Sequence, residues 1–482
     1  MIHSYKLNGY NIVLDVNSGA VHVVDEMLYE MIQLLDKEGG ERQLPQQYPA
    51  QELAALEGRW TRAELEEGYA DLYELCEKGQ LFTKDDYEQF ADMMVSAPVK
   101  AMCLNVAHDC QLRCKYCFAS TGDFGGERKL MDLETGKKAI DYLLKYSGNR
   151  HNLEMDFFGG EPLMNFEVVK EIVKYARSKE KEYNKNFRFT ITTNGLLLTD
   201  DKIDFINKEM KNVVLSIDGR KEVNDRFRTR VDGSGSYDRI MPNFQNLVSK
   251  RGDQEYYVRG TFTKYNLDFA SDVQHFFEKG FDQISIEPVV TDPKLPYALT
   301  EEDLPAVFAE YERLANKIIE DRKAGTFYNF FHFMIDLDQG PCAIKRLRGC
   351  GCGNEYVSVT PEGDVYPCHQ FVGKPEWIMG SVHDMSLNTK MKEDFAKANV
   401  YSKEQCRTCW AKFYCSGGCN ANNLEYAGSV LKPYDLSCQL EKKRLECAIM
   451  IQAALAESGN GGFVPADSAS CGGCDSCDGC NA

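Results

Sequence analysis

Cys110, Cys114 and Cys117 stand at x3 and x2 spacing, directly after a short apolar run that reads as a strand. Three thiolates in one short loop can hold three irons of a [4Fe–4S] cluster and leave the fourth iron open. The same loop is compatible with a zinc knuckle or with spare core thiols, so spacing alone does not decide. Gly159-Gly160-Glu161-Pro162 ends a second apolar run. Paired glycines let a backbone approach a ligand closely, and a glutamate beside them can receive a cationic amine. Thr192-Thr193-Asn194-Gly195 and Ser216-Ile217-Asp218-Gly219 end a third and a fourth run, with small polar groups suited to a ribose or a carboxylate. Each tetrapeptide taken singly is ordinary turn chemistry. Their succession at consecutive strand ends is not.

A second cysteine region lies far downstream. Gly363-x4-Cys368 sits within VSVTPEGDVYPCHQF, followed by Cys406-x2-Cys409-x5-Cys415-x3-Cys419 and by Cys438, with Cys342, Cys350 and Cys352 upstream. A pair of zinc ribbons is the alternative, but zinc sites prefer paired CxxC spacing and this region lacks it. The tail carries Cys471, Cys474, Cys477 and Cys480 at x2 spacing between Gly, Asp and Ser, open to a metal site, a thiol relay or no role.

Nineteen cysteines need a reason in a chain whose opening, MIHSYKLNGYNIVLDV, lacks the features of a secretory signal. Such a chain is expected in the cytoplasm, where thiols stay reduced and clustered cysteines bind metals or do chemistry. No apolar run approaches the length of a membrane span. A net charge of −18 without any compensating basic block argues against nucleic acid.

Strand and helix patterns alternate from about residue 100 to 290. Strand candidates are Ala101–Val106, Leu153–Phe158, Phe187–Thr192, Val213–Ile217, Tyr256–Thr261 and Gln283–Glu287, with amphipathic stretches such as Leu133–Tyr146, Glu167–Ala176 and Phe269–Lys279 between them. This alternation predicts a parallel sheet with ligands at the carboxyl ends of its strands, where the motifs fall. Residues 1–95 read as a separate unit. The strand-like segments Ser4–Leu7, Asn11–Asp15 and Ala20–Val24 precede helical patterns at Asp25–Leu35 and Arg62–Lys78, which suits a winged-helix-like fold. Its helices are acidic, so a peptide added along a strand edge fits better than DNA.

Over residues 100–290 the succession of motifs resembles the radical SAM superfamily. The resemblance implies an α/β fold, a partial (β/α)6 TIM-like barrel, in which Cys110, Cys114 and Cys117 bind a [4Fe–4S] cluster whose open iron chelates S-adenosylmethionine. By position, Gly159, Gly160 and Glu161 would contact the methionine amine and Tyr116 would lie against the adenine. Thr193, Asn194, Ser216 and Asp218 match positions near the ribose or carboxylate. No catalytic side chain beyond the cluster is assigned.

The downstream cysteines resemble the SPASM extension, which implies two further [4Fe–4S] clusters. By position, Cys406, Cys409, Cys415 and Cys438 would hold the outer one. Cys350, Cys368 and Cys419 would belong to the inner one, whose fourth ligand is Cys342, Cys352 or a substrate thiolate on an open iron, the reading preferred from the sequence.

The segment NGYNIVLDVNSGAVHVVDEMLYEMIQLL, with RGCGCGNEYVSVTPEGDVYPCHQF, resembles maturases of six-cysteine (SCIFF) ribosomal peptides. Cys352 departs from the small residue expected between the two glycines. The resemblance implies a recognition domain at 1–95, the barrel at 96–330, the SPASM domain at 331–457 and a loose tail at 458–482. It implies a cysteine-rich precursor peptide as partner, a flavodoxin or ferredoxin as reductant, and a thioether from cysteine to an α-carbon as product. Rival readings are sulfatase cysteine oxidation, carbon–carbon crosslinking, and a non-catalytic iron–sulfur electron carrier.

Overall fold

The computed structural model of the chain describes residues 1–36, 42–91, 97–337 and 343–457. Cys342 and the four tail cysteines, Cys471, Cys474, Cys477 and Cys480, lie outside the described residues.

The chain opens with a three-stranded antiparallel sheet, ordered β1 (Ile2–Leu7), β2 (Tyr10–Asp15) and β3 (Val21–Val24). Asn8 and Gly9 both take positive φ, 51° and 82°, as a two-residue hairpin turn requires. The period of two then divides β2 between two cores. Ile12 and Leu14 join the main core, while Val13 packs with Tyr29, Ile32, Leu65 and Leu72 in a smaller one. The helical side of that smaller core is α1 (Glu26–Leu35) and α2 (Arg62–Glu77). The Asp25 carboxylate caps α1, and Thr61 with Glu64 closes a capping box on α2, so orphan N–H groups at both starts are satisfied. The expected elements are present; β2 is the central strand, so Asn11–Asp15 offers no edge to a peptide.

The barrel strands are β4 (Ala101–His108), β5 (Leu112–Cys114), β6 (Asn152–Gly159), β7 (Asn186–Thr193), β8 (Met210–Ser216), β9 (Arg228–Arg230), β10 (Glu255–Phe262) and β11 (Gln283–Pro288). Six of them, β4, β6, β7, β8, β10 and β11, pair in parallel in sequence order. Helices α3 (Leu133–Tyr146), α4 (Phe166–Tyr183), α5 (Asp200–Glu209), α6 (Tyr237–Ser249), α7 (Phe269–Glu278) and α8 (Leu304–Lys323) connect and flank them. This is the expected partial (β/α)6 barrel. Along β6, Met155 and Phe157 are fully buried under the helices, whereas Glu154, Asp156 and Phe158 fall on the alternate, inner face.

The C-terminal region is built onto the same sheet. Its strand β12 (Tyr356–Val359) runs parallel to β4, and β13 (Asp364–Tyr366) returns antiparallel beside it. Short helices at Glu404–Arg407, Lys412–Cys415 and Asn420–Ala427 carry cysteines, and α9 (Asp435–Glu457) packs on α8 and on the first two strands. The Tyr5 hydroxyl donates to the Glu446 carbonyl at 2.9 Å, which ties β1 to α9, and among the described residues β3 pairs with no strand but β2. Among the described residues no helix is long and apolar enough to cross a membrane.

Candidate functional site

Cys110 leaves the end of β4, Cys114 closes β5, and Cys117 follows in the turn, its N–H bonded to the Cys114 carbonyl at 3.1 Å. All three thiols are unbonded to one another. Burial pushes Cys110 up to about 12, and the charges of Glu161, Cys114 and Cys117 add to it. Cys114 is raised to about 11 by burial, with the Arg228 guanidinium pulling the other way. Protonated thiols in a packed loop are what a cluster replaces with iron–thiolate bonds, since metal binding removes the proton.

The paired glycines have a steric reason. A Cβ at Gly159 would meet the Ala107 carbonyl oxygen at 2.2 Å, and one at Gly160 would meet the Asp109 carbonyl oxygen at 2.2 Å. β6 therefore ends directly under the cysteine loop, held by Gly160 N–H to Ala107 and Glu161 N–H to Asp109. The Glu161 carboxylate is buried and accepts from Leu163 N–H at 3.0 Å, Thr193 Oγ1 at 2.8 Å and Asn194 N–H at 2.8 Å. Expected as an amine receptor, it is first a clamp that caps a turn and ties β6 to the end of β7. Of about four acceptor directions on a carboxylate, three are used and one remains for an amine. Asn194 Nδ2 also reaches Cys110 Sγ at 3.5 Å.

Tyr116 and Asp218, set by sequence on the same rim, are in contact. The Tyr116 hydroxyl donates to Asp218 at 2.7 Å, and Arg228 Nη1 donates to that same hydroxyl at 2.9 Å. Asp218 accepts also from Thr261 N–H at 3.2 Å; burial pushes its carboxyl up to about 6, against the pull of Arg228. Arg228 went unread in the sequence because it lies in the crossover between β8 and β10, without a motif of its own. Pairing of β9 with β5 sets it opposite Cys114, so a buried cation flanks the cysteine loop. Its Nε is buried without a partner among the described residues, a donor available to an anionic ligand. Ser216 ends β8 in register with Arg259 of β10.

The inner face of the barrel carries further groups that the motifs did not flag. Arg259 bonds Glu287 at 2.5 Å; burial opposes the Glu287 charge, but Arg259 wins and holds that carboxyl near 2. His369 lies 5.1 Å from the Phe158 ring and 5.4 Å from Phe118, and burial holds it neutral, down to about 4. Phe118, directly after Cys117, is an exposed aromatic beside Phe158 and His369.

The downstream cysteines separate into two sets. Cys406, Cys409, Cys415 and Cys438 act electrostatically on one another, with Cys415 raised to about 12 and Cys438 to about 11, burial being the first cause in both. Cys350, Cys352, Cys368 and Cys419 form the other set. Cys352 is buried and donates its S–H to Cys368, which holds the Cys368 thiol down. Cys352 thus stands beside Cys368 as a candidate fourth ligand, next to the open-iron alternative. Cys350 and Cys419 are accessible to solvent, yet burial raises both thiols. Thiols on the wall of a cleft meet both conditions. Among the described residues, no three Cys, His, Asp or Glu side chains converge on a single metal ion. The donor sets fit clusters, which spread their thiolates over several irons.

Comparison with known proteins agrees with this geometry. Residues 104–262 match the model of the radical SAM superfamily, and residues 350–410 match the SPASM iron-sulfur cluster-binding domain. A cysteine-type anaerobic sulfatase-maturating enzyme of Clostridium novyi is 26% identical over 65% of this chain and 86% of its own length. An uncharacterized protein of Methanocaldococcus jannaschii is 30% identical over 59% of this chain and 90% of its own. The radical SAM cyclopropyl synthase TigE of Paramaledivibacter caminithermalis is 22% identical over 71% of this chain and 72% of its own. Among solved structures, native anSMEcpe with bound AdoMet and Kp18Cys peptide superimposes at a TM-score of 0.62 with 22% identity, over 75% of this chain and 100% of that one. Streptococcus suis SuiB bound to S-adenosylmethionine superimposes at 0.50 with 16% identity, over 91% of this chain and 98% of that one. Strand-end motifs, barrel and cysteine domain lead to one conclusion: the chain belongs to the radical SAM superfamily and carries the SPASM iron–sulfur cluster-binding domain.

Proposed function

We propose that this chain modifies a cysteine-rich precursor peptide, joining a peptide cysteine to an α-carbon as a thioether. The observation that carries the reading is the N-terminal sheet, whose edge strand β3 pairs among the described residues with β2 alone, while β1 is tied to α9 of the cysteine-bearing domain. An extended peptide can add to such an edge through main-chain hydrogen bonds. A cleft of about 420 Å3 lies elsewhere on this unit, where Lys6 of β1 meets Glu26, Tyr29, Glu30 and Leu34 of α1.

When bound, the barrel's [4Fe–4S] cluster and S-adenosylmethionine supply the 5′-deoxyadenosyl radical that removes a hydrogen from the peptide. The chain's own residues do the positioning. Cys110, Cys114 and Cys117 hold that cluster, and Gly159 and Gly160 let the amine end of the ligand approach the backbone. Tyr116, Asp218 and Arg228 form a buried wall with one spare donor for a carboxylate. Thr193 and Asn194 fix Glu161, and Ser216 faces the same rim. Phe118, Phe158 and His369 make an apolar lining that keeps water from the reacting carbon. Cys406, Cys409, Cys415 and Cys438 hold the outer auxiliary cluster, and Cys350, Cys352, Cys368 and Cys419 the inner one, which makes three in all. Free thiols among the described residues and oxygen-sensitive metal sites suit a reducing cytoplasm, with flavodoxin or ferredoxin as electron donor.

Sulfatase cysteine oxidation is the second reading, favoured by the likeness to the cysteine-type anaerobic sulfatase-maturating enzyme of Clostridium novyi. Anaerobic incubation with S-adenosylmethionine, reductant and either a cysteine-rich peptide or a sulfatase-type peptide separates the two. The expected product is a cysteine-rich peptide that has lost two hydrogens and one titratable thiol, with 5′-deoxyadenosine formed alongside. Conversion of the sulfatase peptide alone overturns the thioether reading. Replacing Cys110, Cys114 and Cys117 by Ala is the control: iron falls by about one third of roughly twelve atoms, and 5′-deoxyadenosine disappears.

A further inference from the structure

Lys403 is only 1% exposed, and no carboxylate lies within ion-pair reach of it among the described residues. Its ammonium donates to the Gly417 carbonyl at 2.8 Å and to Asn420 Oδ1 at 2.9 Å, both neutral acceptors. Lys412, on the same side of the domain, shows the usual solution for a buried lysine, with Asp85 at 2.6 Å. Taking an ammonium out of water costs several kcal/mol, and a dry site keeps it charged only if an anion answers it. Burial pulls the Lys403 ammonium below the usual lysine range, and the groups that work against that pull are Cys406 and Cys415 of one set and Cys419 and Cys350 of the other, once ionised.

The local chain is built to bring the amine there. The Lys403 carbonyl accepts from Cys406 N–H at 2.9 Å, which fixes its backbone to the outer set. Gly417, between Cys415 and Cys419, has φ +84°, and a Cβ there would stand 3.0 Å from Lys403 Nζ. A side chain at that position would be strained and would crowd the amine. Asn420, the second acceptor, directly follows Cys419.

We propose that Lys403 is a counter-ion shared by the two auxiliary cysteine sets and that its positive charge raises the reduction potentials of both clusters held there. The proposal rests on the reading that these cysteines hold clusters. A fixed positive charge favours the more negative, reduced state of any nearby centre, and net charge is among the main determinants of iron–sulfur potentials. A charge placed between two centres acts on both, which distinguishes Lys403 from any group bonded to one set alone. It is a positioning residue, not a catalytic one.

The test is a potentiometric titration, read by electron paramagnetic resonance, of the full-length reconstituted holoenzyme and its Lys403→Met, Lys403→Gln and Lys403→Arg variants. In Met and Gln, the reduced fraction of both auxiliary clusters at fixed potential should fall about tenfold, equivalent to about 59 mV for one electron. The barrel cluster, identified by its response to S-adenosylmethionine, should stay in place, and Arg should restore both auxiliary potentials. Unchanged potentials in Met and Gln, or equal shifts in all three clusters, overturn the proposal. If Met loses auxiliary iron while Arg keeps it, the charge is needed to hold the clusters and the proposal stands. Loss in both makes Lys403 a packing residue and sinks it. Absence of auxiliary signals from the unsubstituted holoenzyme would instead count against the cluster reading itself.

Discussion

His3 lies flat on Trp410, with ring centroids 3.7 Å apart and planes within 4°. Trp410 directly follows Cys409, so the first strand of the N-terminal sheet rests on the loop of the outer cysteine set. His3 also meets Glu446 at 3.1 Å, and Asp85 reaches the otherwise buried Lys412. Deleting residues 1–91 would therefore strip an aromatic stack and leave a buried lysine without its partner. Such a truncation is expected to lower auxiliary iron and is a poor test of peptide recognition.

A substitution on β3 tests recognition cleanly. Val23 is 52% exposed on the edge strand. Val23→Pro removes a main-chain donor and stiffens the edge. Peptide affinity, measured by fluorescence anisotropy of a labelled leader, should fall about tenfold or more, about 1.4 kcal/mol, with uncoupled S-adenosylmethionine cleavage unchanged. Wild-type affinity in a variant with an unchanged far-ultraviolet spectrum would show that β3 is not the docking edge.

Arg228 and Asp218 stand 3.8 Å apart, both nearly excluded from solvent. Breaking a buried pair leaves an uncompensated charge and costs about 3–5 kcal/mol. Arg228→Met should destabilise the protein by an amount of that order in anaerobic urea unfolding. Adding Asp218→Asn should recover part of the loss, because no charge is then left alone. Strict additivity of the two substitutions would show that the pair is not coupled.

If Cys352 closes the inner set, a substrate thiolate has no place on it. In the unsubstituted protein, a cysteine-containing peptide should leave the inner cluster's spectrum unchanged. In Cys352→Ala, the spectrum should respond to that peptide and not to its Cys→Ser counterpart. A response in the unsubstituted protein would return the set to three protein ligands and a substrate thiolate.

Much of this was legible in the chain. The six barrel strands fall within a few residues of their apolar runs, because each run is bounded by the turn residues that end the strand. The motif residues Gly159, Gly160, Glu161 and Asn194 do gather on one rim, since a parallel sheet brings its carboxyl ends together. What stayed hidden depends on contacts between distant segments. Arg228 meets Tyr116 across 112 positions through the short β5–β9 pairing. Lys403 reads as a surface lysine, and only the folded cysteine loops bury it. The stack of His3 on Trp410 joins the N-terminal sheet to the outer cysteine loop, and no local pattern encodes it.

Asp156 lies on the inner face of the barrel, where burial pushes its carboxyl up to about 6, with only a hydrogen bond from Thr190 working against this. Cys103 of β4 and Tyr356 of β12 face the same spot. A folded-state pKa above the unfolded value near 3.9 means that the folded protein holds the proton more tightly. Its contribution is fully present below about pH 4 and is lost as pH rises through about 6. Asp156→Asn should therefore gain stability relative to the unsubstituted protein between about pH 4 and 6, by at most ~3 kcal/mol for two pKa units. A stability difference that does not vary over this window would show that Asp156 is ionised and satisfied.

Because β12 is hydrogen-bonded to β4 from Tyr356↔Ala101 to Val359↔Leu104, the barrel and the cysteine domain share one ladder. Cys352 lies just before β12 and Cys368 just after β13, while Cys110 follows β4. The span between the cofactor loop and the inner cysteines is thus set by strand register, as on a ruler, and not by a hinge. A one-residue slip in β12 would turn its side chains to the opposite face and move both cysteines together.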